Sequence, residues 1–246
     1  MTIEGRKIAI TGAGRSLGAA LAIVSADRGA YPVLLGRSRE ALDQVADAIE
    51  ARTGRRSPVL VCDLADAASV AAAADILRGD HANLDCLVNS GAHWSGGRFE
   101  AMSDADIAAV VGSALTGTMA LTRRLLPLLR ARPSADIHTV VSMSGLQYAR
   151  LRGSSVAFRA AKAGQDGLVQ GLAEELAGSS IRVTSVYPGI IEDISPLDPA
   201  WSLPPSPAAM LSNREVVEAI LFALEMPANV SVRSLVIERT NSDFLV

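Results

Sequence analysis

The chain has 246 residues, 49% of them hydrophobic, with 23 basic against 26 acidic side chains and a formal net charge of -3. This balance argues against nucleic acid or an anionic membrane surface as the main partner, and the length accommodates one α/β domain over 1–246 without forcing a second. No apolar signal core precedes Lys7 and no stretch reads as apolar enough to span a bilayer, so a soluble cytoplasmic protein is expected.

Apolar runs of strand length alternate with helical patterns along the chain. Residues 7–11 read as a strand, followed by a Gly-rich turn and a helix to about residue 28. A second strand over 31–35 leads to a helix over 38–52, and a third over 59–62 leads to an Ala-rich helix after Asp63 and Leu64. Residues 84–88 form the fourth strand. Ser103 then reads as the N-cap of one long helix to about residue 130, with Asp104 and Asp106 in its first turn. A fifth strand over 137–141 precedes the helix that carries Phe158 and Lys162, and a sixth covers 181–186. A Pro-rich stretch over 195–207, long for a compact domain, reads as a lid or substrate loop. A helix over 213–225 and a last strand over 232–237 follow. Cys62 and Cys86, the only cysteines, lie in short apolar runs and read as buried free thiols rather than a disulfide or metal site.

Continuous apolar strands separated by helices predict a parallel sheet covered on both faces, a doubly wound α/β fold in three layers. Ligands of such folds bind beyond the carboxyl ends of the strands.

The turn after the first strand reads Thr11-Gly12-Ala13-Gly14-Arg15-Ser16-Leu17-Gly18. Glycines there permit a tight turn and let backbone N–H groups approach a pyrophosphate at a helix N-terminus. The fingerprint G-x-G-x-x-G is not met, because Leu17 stands at its third glycine. A ligand-free strand-to-helix turn is the rival reading. The second strand ends at Gly36-Arg37, with no acidic residue for a ribose 2′-hydroxyl. Arg37, with Arg15 as a second cation, suits a 2′-phosphate, which favours NADP(H) over NAD(H). Two surface arginines in an arginine-rich chain are the alternative.

These features together resemble the single-domain form of the short-chain dehydrogenase/reductase family from Lys7 to about Thr240. The loop is similar to that family's T-G-x-x-x-G-x-G. Asp63, with Leu64 after it, matches its adenine-contacting Asp, and Asn89-Ser90-Gly91-Ala92 resembles its N-N-A-G. Ser142 matches the catalytic serine, with Ser144 as a rival, and Lys162 matches the lysine of Y-x-x-x-K. Pro188 and Gly189 match the Pro-Gly flanking the nicotinamide, with Ile191 beyond. The resemblance implies a Rossmann-type fold, a small-molecule substrate, and a homodimer or homotetramer built through helices around 103–130 and 158–177. A mixed oligomer is also open.

Four positions depart from the family. Phe158 replaces the catalytic tyrosine, Ala114 an asparagine, Ser16 the middle loop glycine and Asp193 a cofactor-contacting threonine. A phenyl ring has no proton to give, and losing a positioned general acid costs about 100- to 10,000-fold. Three accounts follow. The chain is an oxidoreductase on a carbonyl/hydroxyl pair with an atypical or impaired site, in which His93 or Tyr148 is a candidate replacement acid. It is a redox-silent nucleotide-binding or partner subunit, or a non-redox enzyme on the same fold. Or the phenylalanine is an engineered Tyr→Phe substitution. Trp94, Tyr148, Leu151 and Trp201 are candidate walls of an apolar substrate pocket.

Overall fold

The strands form where both faces of the chain are apolar. In the computed structural model, which describes residues 2–149, 153–204 and 210–240, the first runs are β1 (Lys7–Thr11), α1 (Ser16–Asp27), β2 (Tyr31–Gly36) and α2 (Arg39–Thr53). They continue as β3 (Val59–Val61), α3 (Ala67–Asp80), β4 (Cys86–Asn89), α4 (Asp104–Val111), α5 (Gly117–Arg130) and β5 (Ala135–Val140). The last elements are α6 (Val156–Glu175), β6 (Ile181–Pro188), β7 (Ile191–Glu192), β8 (Leu211–Ser212), α7 (Asn213–Glu225) and β9 (Ser234–Ile237).

Seven strands pair in parallel in the order β3-β2-β1-β4-β5-β6-β9. Side chains alternate between faces along a strand, so Ile8 and Ile10 enter one core while Ala9 enters the other. The first core packs α1, α2 and α7 on the sheet, and the second packs α3, α5 and α6. Helices on both faces make this the doubly wound, three-layer Rossmann-type fold that the alternation predicts. The strand order reverses between β1 and β4, which opens a crevice at their carboxyl ends.

Several boundaries differ from the sequence reading. The fourth strand starts at Cys86 rather than 84, and the fifth covers Ala135–Val140 rather than 137–141. The sixth runs on to Pro188, and the last is limited to Ser234–Ile237. The helix expected over 103–130 is interrupted by a π turn at Gly112–Thr116. Contrary to the expectation of no bilayer-length apolar stretch, the run Asp104–Arg130 is long and apolar enough by length and composition to cross a membrane. Here Leu121, Leu125 and Leu129 are buried in the core beneath α3 and the sheet, so the apolar character serves packing. The Pro-rich stretch is flanked by the short pair β7–β8, which the sequence did not announce. Its residues 205–207 and Leu151 lie outside the described residues. Cys62 and Cys86 are buried free thiols, and burial pushes them up to about 11 and about 12.

Candidate functional site

The crevice is built from the end of β1 outward. The Thr11 hydroxyl accepts from the backbone N–H of Ser90 at 3.0 Å and of Gly91 at 2.9 Å, which ties the end of β1 to the turn after β4. Gly12 has φ 70°, and a Cβ there would stand 2.8 Å from the Gly91 Cα. A Cβ on Gly18 would stand 2.3 Å from the Gly12 carbonyl oxygen, so the loop folds back on α1 only with glycine at 18. Leu17 and Gly18 are buried in the first turn of α1.

Beside this loop lies a cavity of about 460 Å³ whose walls include Gly12, Gly14, Arg15, Arg37, Asp63 and Leu64. Six residues assigned from separate parts of the sequence thus meet in one hollow. Asp63 is held in place, since its Oδ1 accepts from the Ala65 N–H at 2.9 Å. Asn89 is buried below, where its side-chain amide donates to Thr122 Oγ1 at 3.2 Å, joining β4 to α5. Two guanidinium groups in a concave, glycine-lined hollow suit a phosphorylated ribose.

The other end of the loop is organised by two of the departures. Ser16 has φ 48° and is the one non-glycine in the left-handed region among the described residues. Its hydroxyl donates to Asp193 Oδ2 at 2.6 Å, and Asn213 Nδ2 donates to the other carboxylate oxygen at 2.9 Å. Asn213 Oδ1 in turn accepts from the Ile194 N–H at 3.0 Å. Upstream, Pro188 ends β6, the Gly189 N–H donates to the Ile237 carbonyl at 2.9 Å, and Ile191 pairs with Leu211. Tyr187 helps to fix this end. Its hydroxyl donates to Asp166 Oδ1 at 2.6 Å, and burial and that carboxylate push it up to about 12.

The third group gathers at the end of β5. Ser155 caps α6 by accepting from the Phe158 N–H at 3.1 Å. The buried Lys162 ammonium donates to the Val140 carbonyl at 2.9 Å and to Gln165 Oε1 at 2.7 Å. Among the described residues no carboxylate pairs with it, and burial holds it down to about 7. Gln165 Nε2 passes the link to the Ala114 carbonyl at 2.5 Å. Ala114 lies in the π turn, whose i→i+5 pattern (Gly117 N–H to Gly112 carbonyl) frees a carbonyl from the helical ladder. The Phe158 ring centre is 5.5 Å from Lys162 Nζ, and the ring is packed among Val110, Ala114, Ala157 and Ala161.

Ser142 and Ser144 are both buried in the turn that follows. Ser142 Oγ accepts from the Ser144 N–H at 3.1 Å and from the Ser144 hydroxyl at 3.0 Å. In this arrangement Ser142 Oγ is the acceptor of both bonds and its own hydrogen is not used in them.

Other expected residues sit differently. His93 lines the 460 Å³ cavity and gives its N–H to Ser113 Oγ at 2.9 Å. Trp94 and Tyr148 are 64% and 52% exposed, and neither lines that cavity. Trp201 packs against the α1/α7 core. Gln165 and Asn213 were not singled out from sequence. A polar residue three positions after Lys162, on the same face of α6, was the available signal for Gln165.

Comparison with known proteins extends this geometry. Residues 6–200 match the family model described as short chain dehydrogenase. An uncharacterised oxidoreductase of Staphylococcus aureus strain MW2 is 28% identical over 238 residues, covering 96% of this chain and 99% of that protein. A metagenomic short-chain oxidoreductase solved with NADP superposes with a TM-score of 0.80 at 26% identity, covering 98% of this chain and 100% of that one. L-Sorbose reductase from Gluconobacter frateurii, solved with NADPH and L-sorbose, has the same fold, with a TM-score of 0.84 at 22% identity and 97% of each chain covered.

Proposed function

Since the chain belongs to the short-chain dehydrogenase family, we propose that it is an NADP(H)-linked oxidoreductase acting on a carbonyl/hydroxyl pair through a site stripped of its usual general acid. The observation that carries the cofactor half is the pairing of Arg15 and Arg37 in one glycine-lined cavity, with no acidic residue closing β2. The residues at that end fit an adenosine 2′-phosphate; those around Asp193 fit a diphosphate poorly. On this reading, 1–246 forms one nucleotide-binding domain, and Gly12, Gly14, Leu64 and Asp63 hold the adenosine portion.

Bound nicotinamide supplies or accepts the hydride. The rest falls to the chain. Ser142, its oxygen already committed to Ser144, donates its hydrogen to the substrate oxygen. In its ammonium form, held below about pH 7, Lys162 has two of its three N–H groups engaged by Val140 and Gln165, which leaves the third for a ribose hydroxyl. Pro188, Gly189 and Ile191 form the wall after β6. Phe158 supplies shape but no proton, and the apolar side chains packed around it have none to give, which leaves the Lys162 ammonium, 5.5 Å from the ring centre, as the titratable group beside it. Reduction therefore draws its proton from another donor, and turnover is slow.

Calorimetric titration with NADPH and NADH tests the cofactor reading. Micromolar binding of NADPH with weaker NADH supports it, and no heat from either sinks it. A second reading, a redox-silent partner subunit, is favoured by one observation: Phe158 and Ala114 seal the region of the missing acid with apolar surface. Purification from the native host discriminates. A homo-oligomer that reduces a generic diketone with NADPH counts against silence.

A further inference from the structure

The amino end of α1 is where the fold offers backbone N–H groups and a positive helix dipole to an anion. In this chain an anion of its own is already there. Ser16, the first residue of α1, gives its hydroxyl hydrogen to Asp193 Oδ2 at 2.6 Å, and Asn213 engages the second oxygen. Both oxygens of this exposed carboxylate are thus engaged by side chains. α1 has no acidic residue in its own first turn and no side-chain cap at Arg15, and Asp193 is the carboxylate that its first residue binds, through the Ser16 side chain. Among the described residues the carboxylate forms no ion pair that would cancel its charge.

The placement matters because of what adjoins it. A hollow of about 270 Å³, lined by Arg15, Ser16, Asp193, Ser195 and Pro196, shares Gly14, Arg15 and Ala41 with the 460 Å³ cavity. A ligand seated by Arg37 at its ribose phosphate and reaching the amino end of α1 with its diphosphate approaches the Asp193 carboxylate, which lines the adjoining hollow. A like charge there opposes binding, and releasing it costs two hydrogen bonds.

Resting on the NADP(H) reading, we propose that Asp193, clamped by Ser16 and Asn213, is a resident competitor for the diphosphate subsite. It makes the chain select ligands by their adenosine 2′-phosphate end and weakens its hold on the bridging diphosphate. Specificity then lies in Arg15 and Arg37, while Asp193 sets the affinity ceiling.

The test compares NADPH with adenosine 2′-monophosphate, which has the Arg37-directed phosphate but no diphosphate, on the full chain and on Asp193→Thr and Asp193→Asn. The Thr variant removes charge and clamp. The Asn variant keeps the shape and removes the charge, its oxygen accepting from Asn213 and its NH2 donating to the Ser16 hydroxyl, which guards against a loop loosened by threonine. The expected result is a gain in NADPH affinity of about ten- to a hundredfold in at least one variant, or about 1.4–2.8 kcal/mol. Adenosine 2′-monophosphate affinity stays within about twofold, since its phosphate lies away from Asp193. Unchanged or weaker NADPH binding in both variants, with the original chain binding NADPH, overturns the competitor while the cofactor reading stands. Failure of every variant to bind either ligand removes both.

Discussion

Lys162 and Gln165, one helical turn apart on α6, are joined by a 2.7 Å hydrogen bond from ammonium to amide oxygen, and the same amide grips the Ala114 carbonyl at 2.5 Å. One side chain thus links the lysine to a carbonyl of the π turn. Replacing Gln165 with Leu leaves a buried ammonium short of an acceptor and a buried carbonyl short of a donor. The expected loss in denaturant unfolding is about 1–3 kcal/mol. A loss below about 0.5 kcal/mol, the range of ordinary surface substitutions, contradicts the bridge.

Lys162 also gives stability a pH dependence of definite sign. Burial holds it down to about 7, against 10.5 for an exposed lysine. Between those values the unfolded chain binds a proton that the folded chain does not, so stability rises with pH and is lost as pH falls toward 7. Above 9.0, the ordinary thiol value, Cys62 and Cys86 oppose the trend, because burial raises both and the folded chain keeps their protons. The clear window is therefore pH 7 to 9. Denaturation across it should show a positive slope of at most about 1.4 kcal/mol per pH unit, and Lys162→Met should flatten it. Equal slopes in both proteins would mean that the lysine stays charged.

The elements were legible because each is written locally. Unbroken apolar runs such as Cys86–Asn89 give central parallel strands, and glycines 12 and 18 give the loop. The walls of the 460 Å³ cavity were legible for a similar reason, since Arg37 directly follows β2 and Arg15 and Asp63 stand in the short turns after β1 and β3. The pairings that define the departures were not. Ser16 and Asp193 are 177 positions apart, and Gln165 and Ala114 are 51 apart. Neither partner carries a local pattern that names the other. The π turn was hidden because Gly112–Thr116 keeps the apolar composition of the helices on either side. Read singly, Ser16 and Asp193 are two defects in a phosphate site; together they are one hydrogen-bonded unit.

Phe158 is the position at which a single atom should change the rate. The ring is 8% exposed and already faces Lys162 at 5.5 Å, so Phe158→Tyr adds a hydroxyl to an occupied volume beside a cation that favours phenolate. The expected gain in kcat/KM for NADPH-linked reduction of a small diketone is about 100-fold or more. Rapid turnover in the unmodified chain, with no gain in the variant, would assign the proton to another donor, and His93→Ala and Tyr148→Phe would then be compared.

The cofactor preference rests on charge that a neutral residue cannot supply. Arg37 follows β2 and lines the 460 Å³ cavity with Arg15, and on the NADP(H) reading it meets a phosphate that NADPH carries and NADH lacks. A charge-assisted hydrogen bond contributes about 1.5–3 kcal/mol, which translates to roughly ten- to a hundredfold in affinity. Arg37→Ser should lower NADPH affinity by that factor and leave NADH within about twofold, because NADH places only hydroxyls there. The titration should also lose salt dependence, since exposed phosphate–guanidinium attraction is screened by ions. Equal losses for NADPH and NADH would mean that Arg37 supports the cavity wall rather than reading the 2′-phosphate, and the preference would then have to come from Arg15 alone.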